Sequence, residues 1–329
     1  MYKDHLIVVA IPAYNEEVSI GQVIESMPVF VDQVIVVNDG SKDKTSIIAQ
    51  DKGAIVINHK QNKGIGAAFR TGVQKVLTLD ADILVTIDAD MQFNPTDIHK
   101  LVDPIVENRA DFVTASRFKN PAYYPKMTKA RFLGNKFMSF LVSRITKQKY
   151  FDVSCGFRAY SREALLRLNL FAEFTYTHEA FLDLAFKNLQ IVEVPIVVKG
   201  TREFGKSRIA ANLFKYGYNT FKIVMKTFRD YRPFQLFRSV SLLSFLIGSI
   251  LALFLLVHYL KTGTFSPHKW AGFMSGSFLV FSLLILAIGF VVDMLARIRY
   301  NQEEILYTLK KNLDRKNHKN EEDRPTRQT

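Results

Sequence analysis

The sequence predicts an α/β protein: a mostly parallel sheet flanked by helices, then interfacial amphipathic helices and two transmembrane helices. Three observations carry that reading. Over residues 1 to about 118, short runs rich in Val and Ile alternate with segments of helical period, the rhythm of strand–helix–strand units. Polar residues and glycines collect where those runs end. Residues 239–260 and 270–292 contain no Asp, Glu, Lys or Arg, and about 20 such residues cross a bilayer core.

Taken in order, LIVVAI (6–11) is the first strand and 16–27 the first helix. QVIVVND (33–39), AIVIN (54–58), ILVTID (83–88) and DFVTAS (111–116) supply four more strands. Helices fall at about 43–52, 64–79 and 96–108 between and after them. No internal repeat is visible. The opening MYKDHLIVVAIPAY reads as a first strand, because no small-residue cleavage site follows its apolar run. Cys155 is the single cysteine, which excludes a disulfide framework within the chain and a zinc cage of cysteines.

The stretch ILVTIDADMQFNP (83–95) organises the rest. An apolar strand runs into Asp88 and Asp90, with Gln92 behind them and Asn94-Pro95 opening the next helix. In open α/β sheets ligands bind beyond the carboxyl ends of the strands. Two acids there suit Mg²⁺ or Mn²⁺ carrying a nucleotide diphosphate, since these ions take oxygen ligands and bridge carboxylate to phosphate. Asp80-Ala81-Asp82 has the same spelling but precedes the strand, where it reads as the turn leaving a helix. Asp39 and Gly40 follow the second strand, and an Asp there can accept hydrogen bonds from a ribose or base edge. Gly64 and Gly66, at a helix start, are expected to leave N–H groups free for phosphate. Each segment alone is ordinary turn chemistry; their register along one sheet edge is the signal. A dinucleotide fold is disfavoured, because Gly64-x-Gly66-x-x-Phe69 lacks the third glycine and follows the third strand.

These segments together resemble a known family. Pro-Ala-Tyr-Asn-Glu-Glu (12–17), Asn-Asp-Gly-Ser-x-Asp-x-Thr (38–45), Asn-Lys-Gly-x-Gly (62–66) and Asp-Ala-Asp-x-Gln (88–92) look like the inverting family 2 glycosyltransferases of GT-A fold. The branch most similar is that of the dolichyl-phosphate mannose and glucose synthases. Ser-Cys-Gly-Phe-Arg-Ala-Tyr (154–160), Val-Pro-Ile (194–196) and Arg-Glu-Phe-Gly-Lys-Ser (202–207) extend the resemblance to about residue 210. By that resemblance Pro12, Tyr14, Glu16, Asp39 and Gly64 hold the nucleotide, with Asp88 and Lys206. Asp88, Asp90 and Gln92 serve the metal, and Arg202 and Lys206 close over the diphosphate. Arg117, Arg131 and Asn135 take the acceptor phosphate; Asp90, Arg117, Arg131 and Arg202 are the catalytic set. Tyr-Thr-His-Glu (176–179) sits where sugar-proximal groups occur and varies with substrate, so the resemblance leaves the sugar open.

The acceptor side also has a reading of its own. Residues 126–149 hold seven Lys or Arg and no acid, and Arg131 and Asn135 share a helix face. A basic helix beside anionic lipid has the same composition. Residues 208–238 carry seven Lys or Arg and one Asp, interleaved with aromatics, the pattern of interfacial helices beside a span. Nucleic-acid binding, which uses the same residue types, is disfavoured by that adjacency. The organisation expected is a cytosolic catalytic domain (1–207), juxtamembrane helices (208–238), spans at 239–260 and 270–292, and a cytosolic basic tail (293–329). The net charge of +13 falls on the segments that the positive-inside rule places in the cytoplasm. Both termini and the active site then face the cytoplasm, in a cell or endoplasmic-reticulum-type membrane, with 261–269 outside. A helix over 300–312 and a disordered last dozen residues complete the expectation.

The expected activity is inverting transfer of a hexose from a GDP-mannose- or UDP-glucose-type donor to a polyisoprenyl (dolichyl) phosphate, with homo-oligomerisation left open. The alternatives are a family 2 transferase for another lipid or glycan, and a non-catalytic membrane adaptor. A processive polysaccharide synthase is disfavoured: it needs many spans and a Gln-x-x-Arg-Trp segment, and the only tryptophan, Trp270, lies at a membrane boundary.

Overall fold

The computed structural model describes residues 1–170, 176–199 and 213–322. Seven strands form one sheet: β1 Ile7–Ala13, β2 Gln33–Asn38, β3 Ile55–Asn58, β4 Ile83–Thr86, β5 Phe112–Ser116, β6 Arg158–Ser161 and β7 Ile191–Pro195. Their order is β3-β2-β1-β4-β6-β5-β7. β1 pairs in parallel with β2 and β4, β2 with β3, and β5 with β7. β6 is antiparallel to both its neighbours. The carboxyl ends of the five expected strands therefore lie along one edge, and the segment leading into β6 arrives at that same edge. Ile7, Val8, Val9 and Ile11 are all fully buried, as an uninterrupted apolar run requires of a strand covered on both faces.

The helices between the strands follow the expected order: α1 Ile20–Glu25, α2 Thr45–Asp51, α3 Ile65–Thr78 and α4 Ile98–Val106. A single 3₁₀ turn, Pro95–Asp97, precedes α4, and the Asn94 side chain caps it by accepting from the Thr96 N–H. α3 buries Ala68, Phe69, Gly72 and Val76; at Gly72 an added Cβ would already touch the Ala10 Cβ at 3.4 Å, so small residues set that helix–strand distance. The 18-residue α5, Lys129–Thr146, is capped by the Thr128 hydroxyl and ends at Lys147 in the left-handed region. α6 Arg162–Arg167 and α7 Thr177–Phe186 complete this unit's helices before α8, Leu213–Tyr231.

Asp80-Ala81-Asp82 is structural, as its position before β4 implied. Asp80 sits at φ 53 and its carboxylate pairs with Arg162 at 2.7 Å, while Asp82 accepts from the Leu6 N–H at 2.8 Å.

Two long helices follow, α9 Pro233–Thr262 and α10 Lys269–Glu322. Both have stretches of mean hydropathy 2.7, with only 17% and 11% of those stretches buried. A core helix of a soluble fold would be mostly covered; these are long and apolar enough to cross a membrane and present their apolar surface outward. They join through small residues: Ser241 donates to the Ser282 carbonyl, Ser244 to Phe278 and Ser275 to Gly248, the close-contact pattern of membrane helix pairs. Phe228–Ile305 forms one compact unit, and Met1–Thr227 with Leu306–Thr329 the other. The helix expected over 300–312 is thus part of a single helix reaching Glu322, beyond the point where disorder was expected. Its tail docks on α6: the Tyr307 hydroxyl donates to Glu163 at 2.8 Å, Lys310 donates to the Leu168 carbonyl at 3.1 Å, and Asp314 pairs with Arg162.

Candidate active site

The site is assembled from loops at the carboxyl edge of the sheet, and side chains tie those loops to one another. Past β1, the Asn15 N–H donates to Ser41 Oγ at 2.8 Å, and Asn15 Oδ1 accepts from the Lys42 N–H at 2.8 Å. The Glu16 N–H donates to Thr45 Oγ1 at 2.8 Å and the Glu17 N–H to Asp43 Oδ2 at 3.2 Å. The 12–17 and 38–45 segments are therefore zipped together, which is why their polar residue types recur at that spacing. Tyr14 and Pro12 stand half-buried on the same loop.

Asp39 is 4% exposed, and its carboxylate organises the next loop. It accepts from the Lys63 N–H and the Gly64 N–H, each at 2.9 Å, and lies 2.7 Å from His59 Nδ1. The Gly64 N–H, expected to be free for phosphate, is thus committed to Asp39; the buried carboxylate needs donors and the loop supplies them. Two glycines are required here. Gly64 has φ 92, and Gly40 has φ 72 with backbone of Gln61 2.6 Å from where a Cβ would sit.

Asp88 and Asp90 lie just past β4 at the middle of the edge. Asp90 is 5% exposed and accepts from the Gln92 N–H at 3.1 Å; Met91 between them is held at φ 59. The Gln92 amide donates to the Lys199 carbonyl at 3.2 Å, and the Lys199 N–H to the Gln92 carbonyl at 3.0 Å. Gln92 thereby fixes the chain immediately before Arg202 and Lys206, which themselves lie outside the described residues.

The segment entering β6 supplies what the sequence did not reveal. A Cβ on Gly156 would stand 3.2 Å from both carboxylate oxygens of Asp88, so only glycine leaves that carboxylate its room. The Gly156 carbonyl accepts from Thr86 Oγ1 at 2.8 Å, with the Tyr176 hydroxyl at 3.5 Å. Tyr176 stacks on Phe69 at 4.0 Å, and burial, with Tyr160 and Asp88 nearby, pushes its phenol far up, so it stays neutral. No three His, Cys, Asp or Glu side chains converge among the described residues. The donor set at Asp88, Asp90 and Gln92 still fits a hard divalent ion that keeps waters and takes phosphate oxygens as its other ligands.

Beside it, past β5, Arg117 forms a two-pronged pair with Asp152, at 2.6 and 2.8 Å, and donates to Ser154 Oγ at 3.0 Å. Ser154 Oγ donates to Asn135 Oδ1 on α5 at 2.7 Å. Burial alone would raise the Asp152 carboxyl; Arg117 and the N–H groups of Arg117 and Ser154 outweigh it and hold that carboxyl below the usual carboxylate range. The structure thus brings Arg117 and Asn135 into one network, with Arg131 one turn earlier on α5 and half-buried. In the 176–179 segment His178 is 1% exposed; burial first, then Arg158, pushes its imidazole down to about 3. It is a neutral core group and a poor base.

Comparisons with known proteins give the family. Residues 8–168 match the model of glycosyl transferase family 2. A Methanococcus voltae UDP-N-acetylglucosamine–dolichyl-phosphate N-acetylglucosaminyltransferase is 38% identical over 59% of this chain and 85% of its own. The chain belongs to glycosyl transferase family 2. Within the family, the polyprenol monophosphomannose synthase of Mycolicibacterium smegmatis is 28% identical over 62% of this chain and 81% of its own. Among solved structures, a Mycobacterium tuberculosis glucosyl-3-phosphoglycerate synthase with Mn²⁺, UDP and glucosyl-3-phosphoglycerate superposes with a TM-score of 0.55 at 24% identity, covering 68% of this chain and 80% of that one. That likeness is one of fold.

Proposed function

We propose that this glycosyltransferase moves a sugar from a nucleotide diphosphate to the phosphate of a polyisoprenyl lipid, at a membrane. The observation that carries the reading is the Asp88–Asp90 pair at the middle of the sheet edge, with Gly156 clearing space at Asp88. Asp88, Asp90 and Gln92 would hold Mg²⁺ or Mn²⁺, which when bound offsets the charge of the leaving diphosphate. The zipped loops at Tyr14, Glu16 and Asp39 form the nucleotide side. Arg202 and Lys206 follow Lys199 and are assigned to the diphosphate.

On the acceptor side Arg117 already has Asp152 as its partner, so its part is to fix Ser154 and, through Ser154, Asn135. The net positive charge for an incoming phosphate falls to Arg131. A phosphate monoester has a second pKa near about 6 and is largely ionised at neutral pH. It therefore needs alignment more than a general base, in keeping with the absence of a titrating role for His178. The relatives named for dolichyl and polyprenol phosphate, and the two candidate spans, support a lipid acceptor. The mannose or glucose donor expected from sequence now stands beside UDP-N-acetylglucosamine, the donor named for the Methanococcus voltae relative.

The test is a transfer assay with UDP-N-acetylglucosamine, UDP-glucose and GDP-mannose against a polyprenyl phosphate. One donor should give a chloroform-soluble, acid-labile sugar–lipid, lost on chelation and restored by Mg²⁺ or Mn²⁺. Asp90→Ala should reduce it at least about a thousandfold. Transfer only to non-lipid acceptors would overturn the reading.

A further inference from the structure

We propose that the outward face of α5 is a docking surface for an anionic bilayer, with Leu133, Phe137 and Phe140 entering the interfacial layer and the cations around them meeting lipid phosphates. The inference stands on α5 itself and does not depend on which sugar or acceptor the enzyme uses.

α5 has two apolar faces, and one of them stays exposed among the described residues. Met138, Val142 and Ile145 point into the domain and are buried. On the opposite side Leu133, Phe137 and Phe140 recur at helical spacing and are 64%, 55% and 66% exposed. An added Cβ at Gly134, on the border of that face, would meet nothing within 4 Å. Single exposed apolar residues are ordinary; three large ones in one stripe on an 18-residue helix mark an interaction surface.

Charge selects the occupant. Lys129, Lys136, Arg144 and Lys147 are exposed along the stripe, and residues 126–149 contain no acid. Phe and Leu flanked by Lys and Arg on a helix is the composition of an interfacial helix, whose long cationic side chains lie along the apolar surface and place their charge at the headgroups. Anionic lipid complements this surface, and the same chain carries two helices apolar enough to cross a membrane. This contact adds to the juxtamembrane segment that the sequence itself announces, and it belongs to the catalytic unit.

The experiment uses the full chain in vesicles. Cys155 is buried and its thiol is pushed up to about 12, mainly by burial, so a single introduced surface cysteine is the fast-reacting thiol. Phe140→Cys carries an environment-sensitive fluorophore; Ile47→Cys, at an exposed position of α2, is the control. In vesicles containing phosphatidylglycerol the label at 140 should shift to the blue and be quenched by lipid-borne nitroxides at least about threefold more than the label at 47. Replacing the anionic lipid with phosphatidylcholine should reduce that difference, because the cations lose their partners. Equal quenching at both positions overturns the proposal. So does protection of position 140 that grows with protein-to-lipid ratio without nitroxide quenching, which would make a second copy of the chain the occupant. Loss of transferase activity with intact quenching would count against the proposed reaction and leave this surface standing.

Discussion

At the scale of single residues, the site depends on a side chain that is missing. Gly156→Ala would put a methyl group 3.2 Å from both oxygens of Asp88, and the Thr86 hydrogen bond to the Gly156 carbonyl keeps that backbone from retreating. The carboxylate must move by a few tenths of an ångström. We expect kcat to fall about tenfold or more and the Mn²⁺ concentration for half-activity to rise, with thermal stability nearly unchanged. Unaltered metal dependence in the variant would show that Asp88 tolerates the shift. The Arg117–Asp152 pair gives a pH prediction with a definite sign. The Asp152 carboxyl is depressed in the fold, so its contribution is present above about pH 4, the unfolded value, and is lost as pH falls through the folded one. Asp152→Asn should flatten the acid limb of the stability curve measured by denaturant melts between about pH 5 and 3. Asp88 and Asp90 were legible in the sequence because an apolar strand points at them. Gly156 was not: the room it leaves is for a residue beyond another strand's end, and nothing local to Ser-Cys-Gly-Phe-Arg reports that proximity. The same holds for Asp39, whose strand-end position was readable but whose carboxylate turned out to hold Lys63 and Gly64.

At the scale of elements, β1 to β5 were readable because each is an apolar run set off by turn residues; β7, the sixth parallel strand, was not assigned from the sequence. β6 was not, since Arg-Ala-Tyr-Ser is four residues long with a fully buried arginine, and only its partners β4 and β5 make it a strand. The docking of α10 on α6 was equally hidden, because basic and acidic residues in a tail read as solvated charge until their partners are known. Arg162 holds Asp80, the Ala81 carbonyl and Asp314 together, so the tail, α6 and the turn before β4 share one guanidinium. Burial opposes that charge, but the hydrogen bonds and charges of Asp314 and Asp80 prevail and raise the Arg162 pKa. Tyr307→Phe removes the hydroxyl that donates to Glu163 and should cost about 1 kcal/mol. Combined with Lys310→Ala it should expose the tail to limited trypsin cleavage several times faster than in the parent. An unchanged digestion rate would mean that the tail is held by contacts other than these.

At the scale of the whole molecule, we propose one membrane topology from chain order and charge. The tail from Leu306 clusters with the catalytic unit, and the α9–α10 pair lies between the two in sequence. If both helices cross, the catalytic unit and the tail share a side and the turn after α9 lies on the other. The positive-inside rule then puts the catalytic side in the cytoplasm, because the basic residues before α9 and after the apolar part of α10 outnumber those in the short turn. Nucleotide sugars made in the cytoplasm would reach the site without crossing the membrane. Thr264→Cys should be labelled in intact cells by a membrane-impermeant maleimide, and Asn312→Cys only after permeabilisation. Labelling of both in intact cells would reject a two-span topology. Labelling of 312 alone would keep two spans but place Asp88 and Asp90 on the outer side, and would require a donor other than a cytoplasmic nucleotide sugar.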